Sequence, residues 1–69
     1  MKTLEELKAW RKYLAAKAAS WSCPSNENRE AVKATRKECE ALGLDILELD
    51  TSCTCIMNLD KRIAAIEAR

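Results

Sequence analysis

The chain of 69 residues has no histidine, no phenylalanine, one glycine and one proline. Each scarcity removes a class of protein. Without histidine there is no imidazole to activate a cysteine or serine nucleophile, and no nitrogen donor for a zinc site. With one glycine there is no glycine-rich phosphate loop, and no Ser/Asp pair stands in a nucleophile-elbow context. A turn-rich β-fold needs more punctuation than one Gly and one Pro supply, and more aromatic residues than two Trp and one Tyr. No apolar run is long enough to cross a bilayer. Met1-Lys2-Thr3-Leu4-Glu5-Glu6 enters a charged amphipathic pattern without the apolar core of a secretory signal. These features lead to the expectation of a cytoplasmic protein with no catalytic residues and no cofactor. A secreted chain whose signal has been removed is the alternative.

Charge of one sign is also missing. Twelve Lys and Arg face eleven Asp and Glu, leaving a net charge of +1 with the two signs interleaved. Proteins that bind nucleic acid on their own concentrate positive charge, because phosphate neutralisation supplies most of their affinity. Arg29, Lys33, Arg36 and Lys37 share one side of a predicted helix and form the one candidate stripe. Glu30 and Glu40 border it, and helical charge pairing explains the pattern without a ligand.

What is present is helix-forming: Ala, Leu, Glu, Lys and Arg are abundant. Thr3 with Glu6 reads as a capping box, in which each side chain satisfies a free backbone N–H at a helix start. Leu4, Leu7, Leu14, Ala18 and Trp21 then follow heptad-like spacing, with Trp10 beside them and Arg11 interrupting the seam, its stem directed outward. The pattern predicts a first helix over 4–19. Ser20 to Asn26 reads as a loop, since Pro24 excludes a helix interior and Ser22, Ser25 and Asn26 are all N-cap residue types. A second helix over 27–42 closes at Gly43, with a thin apolar face of Ala31, Val32, Thr35, Cys39 and Leu42.

Asp45 and Glu48 form another capping-box pattern, and Leu44 and Leu49 occupy the positions of a hydrophobic staple. Leu49, Ser52, Ile56, Leu59, Ile63 and Ile66 then keep a seven-residue repeat. This predicts a third and longest helix over 46–68, although Thr51-Ser52-Cys53-Thr54-Cys55 is a run of modest helix formers. The expected architecture is all-α, one domain, a small antiparallel three-helix bundle running up-down-up.

The four cysteines are the one candidate for chemistry. In such a bundle Cys39 and Cys53 differ in height by about 6 Å across helices roughly 8–10 Å apart. A disulfide needs Cα atoms within about 7 Å. Cys23 lies roughly 24 Å along the second helix from Cys39. Cys53 and Cys55, two apart on a helix, point in different directions. A continuous third helix and a disulfide framework therefore exclude one another, and the helix is the reading adopted. Thiolate metal sites normally use two C-x-x-C knuckles. Cys23, Cys39, Cys53 and Cys55 offer a single C-x-C and two distant thiols, the type of pair that soft Cu(I) accepts. Cys39 and Cys53 fall on apolar faces and read as core, leaving Cys55 and Cys23 as exposed thiols. Asp60 and Glu67, at i,i+7, read as a flanking pair bonded to Lys17, Arg62 or solvent.

The surplus is apolar surface. A third helix outrunning its partners would leave Ile63 and Ile66 projecting unless Trp21 folds over them, with Leu59 on the same flank. Tyr13 is placed away from the seam. Tyr13, Trp21, Leu59, Ile63 and Ile66 are thus the interface candidates, aromatic residues being common anchors. No run of residues carries a family motif. The expected function is non-enzymatic protein–protein contact, as an accessory protein or an engineered scaffold, with a homodimer through the third helix as one form. A cysteine-based metal or redox protein is the alternative, and a nucleic-acid adaptor the third.

Overall fold

The computed structural model describes residues 2–68, and among them the structure is all-helical. Four helices follow one another: α1 (Leu4–Ser22), α2 (Asn26–Ala41), α3 (Ile46–Thr51) and α4 (Ile56–Glu67). The Thr3 hydroxyl accepts from the Glu6 N–H at 3.2 Å while the Glu6 carboxylate accepts from the Thr3 N–H, so the predicted capping box forms. Ser25 caps α2 by accepting from the Asn28 N–H. At its far end the Gly43 N–H donates to the Glu40 carbonyl and the Leu44 N–H to the Cys39 carbonyl, both at 3.0 Å. That pair of bonds is the Schellman motif, and it requires the left-handed backbone that Gly43 adopts at φ +80°.

The α2 helix runs back along α1. Lys12 faces Glu38 near one end of the hairpin, and the Asn28 amide donates to the Cys23 carbonyl at 2.6 Å near the other. Pairing is therefore antiparallel, as a three-residue connection requires. The core is formed by Leu7, Ala9, Trp10 and Tyr13 of α1, Cys39 of α2, Leu44, Leu49 of α3, and Leu59 and Ile63 of α4. Leu4, Leu14, Val32, Ile46 and Ile66 pack against its edge. As its thin apolar face foretold, α2 buries one residue, Cys39.

The predicted third helix is not continuous. It ends at Thr51, and a non-helical linker over 52–55 separates it from α4. Local hydrogen bonding by the side chains explains the break. The Thr51 hydroxyl donates back to the Leu47 carbonyl, and Ser52 Oγ both contacts the Thr54 hydroxyl at 2.9 Å and accepts the Thr54 N–H at 3.2 Å. Ser and Thr offer the backbone an alternative to the helix ladder. With the two cysteines beside these three, residues 51–55 together cost roughly 2–3 kcal/mol of helix propensity against alanine. Apolar phase alone does not offset that.

The break reverses several further expectations. The longest helix is α1, with 19 residues, not the third. It runs three residues past the predicted end at Ala19 and carries Trp21 beyond the core, where the indole is 85% exposed. Trp21 therefore does not fold over Ile63 and Ile66. Because α4 is short and lies on α1, Leu59 and Ile63 are buried and Ile66 is half-buried. Tyr13, expected away from the seam, is 3% exposed, and Asp50 of α3 supplies a carboxylate for its hydroxyl. Cys53, expected in the core, is exposed because it lies in the linker rather than on a helix face.

Candidate functional site

The titratable groups gather where α1 meets the α3–α4 segment. Asp50 Oδ1 accepts from the Tyr13 hydroxyl at 2.9 Å and from Lys17 Nζ at 2.7 Å. Lys17 also lies 5.2 Å from the centre of the Tyr13 ring, in cation–π range. Hydrogen bonding to Lys17 holds the Asp50 carboxyl below the usual carboxylate range. Burial, then the bond to Asp50, pushes the Tyr13 phenol up, and Asp50 likewise raises Lys17. These are one cation, one anion and a neutral phenol at neutral pH, satisfied by one another. The arrangement ties α3 to α1 and leaves no free acid or base.

Two more pairs join the same elements. Arg11 Nε donates to Asp60, and this bond raises the guanidinium further above its ordinary value. Lys2 Nζ reaches Glu48 at 3.2 Å while lying 5.5 Å from the centre of the Trp10 ring. Thus Asp60 is bonded to Arg11, a partner not among the Lys17, Arg62 or solvent expected from sequence, and Lys17 is bonded to Asp50. Glu48 turns to Lys2 instead of completing a capping box, so Asp45 alone caps α3 through the Leu47 N–H. The Trp10 indole N–H is buried without a hydrogen-bond partner.

The cysteines separate into two environments. Cys39 is fully buried at 0% exposure, and burial, followed by the charges of Glu38 and Glu40, pushes its thiol pKa up. A neutral, enclosed thiol is a small apolar core residue. Cys23, Cys53 and Cys55 are exposed, and all four thiols are free. Cys53 and Cys55 lie together in the linker, a juxtaposition that the continuous-helix reading had dispersed. Among the described residues no three His, Cys, Asp or Glu side chains converge as a metal-binding group.

In the basic stripe of α2, Lys33 pairs with Glu30 at 3.8 Å and Arg36 with Glu40 at 3.2 Å. Half of that stripe is thereby neutralised within its own helix. Between α1 and α2 an open groove of about 430 Å³ is lined by Ala9, Ala41 and Leu42 among Glu5, Lys8, Lys12 and Glu38. Its charges alternate in sign and select no ion. Of the five interface candidates, Tyr13, Leu59 and Ile63 are core, Ile66 is at the core edge, and Trp21 stands in solvent. Leu47 and Met57 were not among the candidates read from sequence. They are 70% and 69% exposed, each on the side of its helix away from the apolar seam. No helix is long and apolar enough to cross a membrane among the described residues.

Comparison with protein families, with curated proteins and with solved structures finds no match to this chain.

Proposed function

We propose that the chain works by protein–protein contact and carries out no catalysis of its own, as a small cytoplasmic bundle in which α3 and α4 together take the place of the third helix of an up-down-up arrangement. The observation that carries this reading is Trp21, which α1 extends past the core into water. An exposed indole combines a large apolar area with a donor N–H, the combination most enriched among residues that dominate binding energy. Leu47 and Met57 add apolar area at the α3–α4 segment. The partner to test first is a second copy of the chain.

Area limits the affinity of such a contact. A tryptophan buries about 200 Å², whereas a standard interface takes roughly 800 Å² from each partner. A contact centred on Trp21 is therefore of the weak, transient kind. Sedimentation velocity from low micromolar to near-millimolar protein, read beside tryptophan emission, tests it. Association that grows with concentration, shifts the emission to the blue and disappears in Trp21→Ala is expected. A chain that stays monomeric throughout, with the exposed indole still emitting as in water, would refute self-association.

A further inference from the structure

The linker over 52–55 is the one segment where the fold gathers reactive side chains that no structural role consumes. Exposure alternates along it: Ser52 and Thr54 are half-buried, Cys53 and Cys55 exposed. The two hydroxyls are bonded to each other on the inner side, at 2.9 Å. Both thiols are thereby left on the outer side. Two residues of chain span at most about 7 Å between Cα atoms, and outside a helix the alternating exposure puts both thiols on one side of the linker.

We propose that Cys53 and Cys55 bind one soft, low-coordinate cation of the Cu(I) class as a two-thiolate chelate. The number of donors selects the ion. Zinc requires four ligands in a structural site, and among the described residues no third His, Cys, Asp or Glu converges here. Soft monovalent copper accepts thiolate ligands, and two suffice in a linear arrangement. A disulfide is the poorer fit. It prefers Cα atoms about 5.5–6 Å apart with closely approaching Cβ atoms, whereas Ser52 and Cys55 bound the linker with extended backbone. A bridging ion tolerates the wider spacing because it adds two metal–sulfur bonds of about 2.3 Å each.

The α4 terminus supports the same site. Cys55 is its N-cap residue and makes no side-chain capping bond, and the first turn holds no acidic residue. On binding, two S–H bonds break and two S–Cu bonds form, while two protons pass to solvent and no electron moves. The complex carries a net charge of −1 and lies at the positive end of the twelve-residue helix.

The test uses the full chain, reduced and free of oxygen, with Cu(I) supplied as its acetonitrile complex. Native mass spectrometry gives stoichiometry, and competition with bathocuproine disulfonate gives affinity. One copper per chain is expected. Cys53→Ser and Cys55→Ser should each weaken binding by at least about 100-fold, the lower range of what tethering two binding groups contributes. Cys23→Ser should leave binding unchanged. Both linker thiols are exposed, so the serine variants keep the far-ultraviolet spectrum of the parent. Absence of binding, one copper per two chains, dependence on Cys23, or serine variants that compete as well as the parent would each overturn the site.

Discussion

Removing Asp50 offers the sharpest test of how the short helix α3 is held. At six residues α3 is far below the length at which an isolated helix is stable, so it is held by contacts with α2 and by the bonds Asp50 makes to Tyr13 and Lys17 of α1. The Tyr13 hydroxyl donates to a charged acceptor, a bond in the range of about 1.5–3 kcal/mol when enclosed. Asp50 is 38% exposed, so water screens it and about 1 kcal/mol is the fitting figure. The Lys17–Asp50 pair, with both partners about a third exposed, adds roughly 0.5 kcal/mol. Asp50→Ala is therefore expected to cost about 1.5 kcal/mol, and Tyr13→Phe about 1 kcal/mol. In a domain this small, whose core supplies only about 3–5 kcal/mol, the larger loss should lower the thermal midpoint by roughly 6–12 °C.

Urea and thermal unfolding followed by circular dichroism, on both single variants and the double variant, would measure the coupling. Its expected value is about 1 kcal/mol. Dependence on pH gives a second readout. The Asp50 carboxyl is depressed in the folded state, so its stabilisation is present above the unfolded value near pH 4 and is lost as pH falls through the folded one. Tyr13 and Lys17 are raised, so theirs is complete below about pH 10 and is lost as pH climbs through their folded values. Asp50→Ala should abolish the acid limb that this group contributes. Additive single-variant losses, or an Asp50→Ala protein as stable as the parent at neutral pH, would refute the reasoning.

Two other expectations follow from single residues. A thiol-disulfide reagent added to the reduced native chain should modify three cysteines quickly, while Cys39 reacts only as the core opens; four equal rates would contradict its burial. Gly43→Ala should destabilise by about 1 kcal/mol through backbone conformation alone, since a Cβ there meets nothing within 4 Å while φ is +80°. Chemical denaturation would reveal a larger loss if the site were sterically crowded.

Among the helix boundaries, the starts at Thr3 and Asp45 and the stop at Gly43 were legible, and Ser25 was one of three cap candidates. Thr3 with Glu6, Ser25, Gly43 and Asp45 act locally, through bonds spanning two to five residues, and local chemistry can be read without tertiary context. The all-helical class was equally legible from composition. Continuity through 51–55 was not, because apolar phase and propensity disagreed there and the hydroxyl bonds of Thr51, Ser52 and Thr54 decided the matter. That one break carried other readings with it. It moved Cys53 out of the core and placed Cys53 and Cys55 together in the linker. The burial of Tyr13 was hidden for another reason. A tyrosine beside a lysine looks like surface until a carboxylate distant in sequence, Asp50, completes the set.

The arrangement of contacts also determines how the molecule comes apart. Helix α1 packs against both α2 and α4, whereas α3 makes its helix–helix contact chiefly with α2. Asn28 at the start of α2 additionally donates to the carbonyls of Ala19 in the last turn of α1 and of Cys23 just beyond it. Neither neighbour can leave without stripping part of α1, and α1 cannot open without exposing most of the core. The amide protons around Leu7 to Tyr13 are thus expected to exchange with solvent only when the whole domain unfolds. Those of α3 and the following linker should exchange through small local openings, so the thiol-bearing segment is expected to be remodelled more readily than the centre of the domain.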